Sequence, residues 1–229
     1  FYHSDETHCQ SVFVILSGMK KTIYFVRHGE SEGNAGPLRQ GASTPLSELG
    51  RKQVAVVAER CAKLPIDVLI SSTMTRAKET AETIFQKIDK PIEYSDLFVE
   101  RRPAGAVVNQ PKDSELVQSF ERALKEKFHL PGFRHSDEEN FDDIKERAGK
   151  ALDFLANRQE ENMLVVTHGM FMKVLLAYVV HGETLTGDEC RDFFRAFLGN
   201  ENTGITALKY DDGRDPRWRL WIWNDHAHL

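Results

Sequence analysis

Apolar residues fall along this chain in two rhythms. Thr22-Ile23-Tyr24-Phe25-Val26 is a short run of β-branched and aromatic residues and predicts a buried strand. Val68-Leu69-Ile70 and Met163-Leu164-Val165-Val166 are runs of the same kind, and Ile92-Glu93-Tyr94 predicts a further short strand. Between them the apolar positions move to helical spacing. Val54, Val57, Ala58, Cys61 and Leu64 predict a helix that starts at Ser47 and is ended by Pro65. A second helix is predicted over 75–88. Phe141, Ile144, Ala148, Ala151, Leu152 and Leu155 line one face of another, and a last helix runs from Gly169 through Val180. The stretch 101–139 is punctuated by Pro103, Gly105, Pro111 and Pro131-Gly132 and holds one helix near 114–128. It is read as an insertion or cap segment. Two late strands, 205–210 and 219–223, flank an Asp211-Asp212-Gly213 turn.

Strands alternating with helices predict an α/β fold: three layers, α/β/α, around a mainly parallel sheet. The final hairpin-like pair predicts one antiparallel edge strand, and the helical insertion follows the third strand. In such folds ligands bind at the carboxyl ends of the strands. That rule singles out Arg27-His28-Gly29, the stretch after Ile70, and Thr167-His168-Gly169.

Composition narrows the partners. Of the 229 residues, 41% are hydrophobic and 28% charged, and the net charge is −5. A mildly acidic chain has no general attraction for nucleic acid or anionic membranes, so any phosphate recognition rests on a few placed cations. No apolar run approaches transmembrane length. Cys9, Cys61 and Cys190 are odd in number and far apart, which argues for a reducing compartment, the cytoplasm by default. Residues 1–18 read as an extension before a natural-looking start at Met19, and the domain is expected to span 19–229. His3, His8 and Cys9 in that extension are not read as a metal site, nor are His226 and His228. No metal and no cofactor are expected. The pattern assigns no oligomeric state.

The motifs fall in a fixed order. Arg27-His28-Gly29-Glu30-Ser31-Glu32-Gly33-Asn34 follows the first strand. Ser72-Thr73-Met74-Thr75-Arg76-Ala77, with Thr80-Ala81, follows the second. Leu97-Phe98-Val99-Glu100 follows the third, and Thr167-His168-Gly169 the fourth. From Met19 onward the chain resembles the histidine phosphatase superfamily, which includes phosphoglycerate mutases. The resemblance implies a small phosphorylated substrate, a phosphohistidine on His28, and Arg27, Arg76 and His168 around the phosphoryl group. It also implies Glu100 as the proton donor, with Glu30, Glu32 and Asp96 as rivals.

The chemistry agrees with that implication. Phosphoryl transfer is catalysed by positioning and by stabilising charge on the equatorial oxygens. Arg27 and Arg76 carry planar forks that hold phosphate bidentately, and Arg76 opens a helix, where a cation is disfavoured unless an anion is bound. His168, if protonated, adds a third positive group. His28 must be neutral to attack, and adjacent arginines lower its pKa toward that state. Gly29 and Gly169 let backbone approach, and Ser31 and Asn34 can donate to phosphoryl oxygens. Arg101 and Arg102 either reach a second anionic part of the substrate or only solvate their loop. Asp137-Glu138-Glu139 is read as a solvated loop before a helix, and Trp218, Trp221 and Trp223 as a packed edge strand. The expected activity is hydrolysis of a small phosphate monoester. The alternatives are a phosphoglycerate-type mutase, a phosphohistidine or phosphoprotein phosphatase, and a non-catalytic binding protein.

Overall fold

The computed structural model describes residues 19–197 and 199–229. The expected extension, with His3, His8 and Cys9, lies outside them. Six strands form one sheet in the order β3-β2-β4-β1-β5-β6. They are β1 (Lys20–Arg27), β2 (Val68–Ser71), β3 (Ile92–Tyr94), β4 (Asn162–Thr167), β5 (Ile205–Asp211) and β6 (Trp218–Asp225). The first four are mutually parallel, as their apolar runs predict. The expected reversal falls on β5, which runs antiparallel to both β1 and β6. The edge itself is β6. There Trp218 and Trp223 pack on the core, while Trp221 lies out under the Lys209 ammonium.

Successive side chains of each strand feed opposite faces. Ile23, Phe25, Val165 and Leu208 enter one core, covered by α5 (Phe141–Ala156), α6 (Gly169–His181) and α7 (Gly187–Ala196). Tyr24, Val26, Val166 and Ala207 enter the other, covered by α2 (Glu48–Cys61) and α3 (Thr75–Ile88). This is the three-layer arrangement the pattern predicts. Among the described residues no helix is long and apolar enough to cross a membrane.

Two helices depart from the sequence reading. The one-turn α1 (Glu32–Ala35) sits inside the expected loop, capped by Ser31. The short α7, whose Cys190, Phe193 and Phe194 face the core, is absent from the sequence reading. Its start was nonetheless written in Thr186 and Glu189, which form a reciprocal capping box.

The stretch 101–139 contains α4 (Glu115–Lys127), which closes a small core of Ala104, Val107, Val117 and Phe120. The segment is zipped to the loop before α2 by Arg39 N–H to Gln110 O and Asn109 N–H to Arg39 O, both 2.9 Å. The Arg39 guanidinium also pairs with Glu121 on α4 at 2.7 Å.

The expectation of a solvated Asp137-Glu138-Glu139 holds for Asp137, which is exposed, and is corrected for the two glutamates. Glu138 is buried and accepts the backbone N–H groups of His135 and Ser136. Glu139 is buried in a two-pronged pair with Arg147 of α5, both contacts 2.7 Å. A loop that must order a buried arginine cannot leave its glutamates in water. Arg147 also donates to the carbonyls of Leu97 and Val99 and lies 4.4 Å from the Phe171 ring centroid. It therefore ties down the chain that delivers Glu100.

Breaking a buried pair strands the remaining charge. Arg147→Met is expected to cost about 3–5 kcal/mol in urea unfolding, with much of it recovered in the Arg147→Met/Glu139→Leu double variant.

Candidate active site

Register builds the site. In the parallel ladders Arg27 lies opposite Thr167 and Ser71 opposite Val166. The next residues, His28, His168 and Ser72, therefore emerge side by side at the carboxyl edge of three adjacent strands. The imidazole centroids of His28 and His168 are 4.9 Å apart.

His28 is 2% exposed. Its Nδ1–H donates to the Gly29 carbonyl at 2.6 Å, so the proton sits on Nδ1 and the lone pair on Nε2. Nε2 receives the Arg76 Nε–H at 3.1 Å. Burial, then the nearby Arg76 and Arg27 guanidiniums, hold His28 well below its ordinary value of 6.5. The ring is neutral, as a nucleophile must be.

His168 is fully buried and neutral for the same reason, with burial first and Arg76 second among the causes. The sequence reading allowed it as a third cation; in the free protein it is instead a neutral hydrogen-bonding group. Its Nε2 lies 2.8 Å from Ser72 Oγ, and that oxygen already accepts the Met74 N–H at 3.2 Å. Donation from the Ser72 hydroxyl to Nε2 satisfies the buried hydroxyl hydrogen and leaves the ring proton on Nδ1. Among the described residues Nδ1 has no partner, and neither does the buried Nε of Arg27. Buried donors without acceptors are costly. Here both belong to the same site, where a phosphoryl oxygen would satisfy them.

Arg76, at the second position of α3, is 1% exposed and donates to the Gly41 carbonyl at 3.0 Å. Burial lowers it to about 10, so it stays charged at neutral pH. Arg27 is anchored by donation to the Asn200 carbonyl.

Glu100 shares a cavity of about 250 Å³ with Arg76, Arg39, Arg101 and Met170. Its carboxylate accepts N–H groups of Arg101, Met170 and Phe171 at 2.9–3.1 Å, the last two from the first turn of α6. Its rivals sit elsewhere. Glu30 accepts the Ser47 hydroxyl at the start of α2, Asp96 accepts the Thr73 hydroxyl in another cavity, and Glu32 is exposed.

Other expected residues are placed differently. Ser31 Oγ and Asn34 Oδ1 cap α1, each accepting the other's backbone N–H; the cap uses the carboxamide oxygen of Asn34 and not its NH2 group. Gly29 is required by packing: a Cβ there would stand 2.7 Å from the Gly50 carbonyl and 2.6 Å from Val54. At Gly169 a Cβ would make only ordinary contact with Arg27. Arg101 lines the site cavity, whereas Arg102 lines a separate one with Arg134 and Lys150. The sequence reading missed Ser72, Arg39 and the Asn200–Asn202 turn. Asn202 donates to the His28 carbonyl at 2.8 Å and Asn200 to that of Gly169 at 3.1 Å. Ser72 was visible as the first residue after β2; nothing local marked the others.

Two buried histidines and two arginines converge on one sheet edge, with a carboxylate beside them, an arrangement chemically suited to hold a phosphoryl group. The chain belongs to the histidine phosphatase superfamily, branch 1, whose family profile matches residues 23–226. It is 29% identical over 218 residues to the metal-independent phosphoserine phosphatase of Arabidopsis thaliana, covering 90% of this chain and 82% of that protein. It is 32% identical over 215 residues to a probable phosphoglycerate mutase, GpmB, of Yersinia pestis, covering 90% and 94%. Among solved structures, Bacillus stearothermophilus YhfR superposes with a TM-score of 0.75 at 25% identity, covering 91% of this chain and 98% of that one. The protein is thus an enzyme of the phosphatase and mutase class with a fold shared by phosphatases.

Both histidines are depressed, so the unfolded chain binds protons below about pH 6.5 that the folded one refuses. Stability is therefore present above 6.5 and falls as pH drops below it. His168→Gln is expected to flatten this acid limb relative to wild type, read as melting temperature against pH.

Proposed function

We propose that the protein hydrolyses small phosphate monoesters through a phosphohistidine on His28. The observation that carries this is the buried, neutral His28 with its proton fixed on Nδ1 and Nε2 turned to Arg76. A phosphoryl group entering there takes over the Arg76 donor and meets the Nε2 lone pair. Nε2 forms the N–P bond as the P–O ester bond breaks, and Glu100 protonates the departing alkoxide. Water then attacks phosphorus, Glu100 takes its proton, and inorganic phosphate leaves with neutral His28 restored. Arg27, Arg76 and the free Nδ1–H of His168 stabilise the equatorial oxygens in both steps.

Arginine and histidine donors support a metal-independent reaction, and among the described residues no carboxylate cluster suited to Mg²⁺ faces the phosphoryl position. Cys61 and Cys190, both free and buried, fit a reducing cytoplasm. A mutase is the second reading, favoured by the likeness to the probable phosphoglycerate mutase. Hydrolysis is preferred because the likeness extends as well to a metal-independent phosphoserine phosphatase.

A labelled phosphomonoester in the presence of EDTA is expected to give an acid-labile, base-stable adduct that chases into inorganic phosphate. Label persisting in His28→Ala removes the nucleophile assignment; an isomerised ester without net phosphate release would establish the mutase instead.

Glu100→Gln should slow the phosphoenzyme burst with alkyl phosphates by about 10²–10⁴-fold but much less with p-nitrophenyl phosphate, whose leaving group needs no proton. Arg76→Ala should slow both alike. Equal loss for both leaving groups in Glu100→Gln would move the acid role elsewhere.

A further inference from the structure

In the phosphohistidine reading, His28 attacks only while its proton stays on Nδ1. Two contacts hold it there in the free protein. The Gly29 carbonyl accepts Nδ1–H at 2.6 Å, and the Arg76 Nε–H meets the Nε2 lone pair at 3.1 Å. The second contact ends when a phosphoryl group draws Arg76 to its own oxygens. Those oxygens then attract a proton to Nε2, which would block the lone pair. From that moment the Gly29 carbonyl alone keeps the proton in place. Yet a glycine carbonyl is easily turned, because no Cβ limits the rotations beside it.

The chain supplies a brace. A trans peptide is planar, so the Gly29 carbonyl and the Glu30 N–H belong to one rigid unit and point in opposite directions. The Glu30 N–H donates to Gln53 Oε1 at 2.9 Å, and among the described residues Gln53 is its acceptor. Fixing the amide end fixes the carbonyl end. The peptide also carries polarity: a hydrogen bond from its N–H makes its oxygen a stronger acceptor.

Helix α2 is built against this peptide. A Cβ on Gly50 would collide with the Glu30 carbonyl, and one on Gly29 would stand 2.7 Å from the Gly50 carbonyl oxygen, so the two backbones touch. Ser47 donates its N–H to the Glu30 carbonyl at 2.9 Å and its hydroxyl to the Glu30 carboxylate at 2.7 Å. Gln53, further along the helix and half-buried, is thereby brought within reach of the Glu30 N–H. The preceding peptide is held separately. Its His28 carbonyl accepts Asn202 Nδ2–H at 2.8 Å, and its Gly29 N–H donates to Thr80 Oγ1 at 3.2 Å.

We infer that Gln53 is a positioning residue for the nucleophile: by holding the Gly29–Glu30 peptide it keeps the His28 proton on Nδ1 while the phosphoryl group is bound. This rests on the phosphohistidine reading above, but its first readout needs no turnover.

Long-range proton–nitrogen correlation on isotope-labelled histidine tells a ring protonated on Nδ1 from one protonated on Nε2, and His28→Asn identifies the His28 signals. In mildly alkaline buffer with inorganic phosphate as the probe, wild type is expected to show the Nδ1–H form. Gln53→Met, similar in shape but without an acceptor, should show an Nε2–H population at His28. Gln53→Glu, which keeps an acceptor, should return the wild-type pattern. The phosphoenzyme burst should fall ~3–10-fold in Gln53→Met, the worth of one hydrogen bond, while the inhibition constant of phosphate is unchanged. An unchanged His28 signature in Gln53→Met, or an Nε2–H form in Gln53→Glu as well, overturns the inference. If Gln53→Met does not fold, Gln53→Ala is read in the same way. If wild type forms no phosphohistidine, the nucleophile reading fails by itself, and the ring signature still decides whether Gln53 sets the proton.

Discussion

The constraint on which this structure turns is concentrated positive charge held out of water and offset only at a distance by carboxylates such as Glu100. Arg76 and Arg101 are buried, Arg27 is partly so, and none is ion-paired among the described residues. Dry, like-charged groups at close quarters destabilise a fold. The fold tolerates them because their donors are tied to carbonyls, those of Gly41, Asn200 and Glu139. A neutral carbonyl satisfies geometry without cancelling charge, so the field stays available to an arriving phosphate.

The same field sets the state of the histidines. Cations and burial act together on His28 and His168, and both rings stay neutral. Local bonds then decide which nitrogen carries each proton. The Gly29 carbonyl fixes His28 as a lone-pair donor at Nε2, while the Ser72 hydroxyl leaves His168 with a free Nδ1–H. Two identical side chains 4.9 Å apart thus acquire opposite capacities, an exposed-lone-pair Nε2 on one and a hydrogen-bond donor Nδ1–H on the other.

Acids are positioned with equal economy. Glu139 spends its charge on Arg147, and that arginine ties down the carbonyls of Leu97 and Val99 ahead of Glu100. Glu100 is then seated on the first turn of α6, directly after His168. Glu100 and His168 are thereby held by one helix start, so movement of either displaces both.

Much of this was legible in the chain. The apolar runs of β1, β2 and β4 and the helical spacing of α2, α3 and α5 gave the layered sheet, because core burial imposes those periods on sequence. Strand-end placement pointed to Arg27, His28, Arg76 and His168, since the carboxyl edge of a parallel sheet is where side chains from distant segments meet. What only tertiary structure decided are matters of pairing and space. The parallel register set Ser72 against His168. Packing on α2 demanded Gly29, and capping of α1 engaged Ser31 and the side-chain oxygen of Asn34. The buried partner of Glu139 was Arg147, eight residues on, and Arg101 and Arg102 parted into different cavities. Sequence period reports which face of an element is buried; it carries no record of which distant group a polar side chain meets there, because that depends on three-dimensional distance alone.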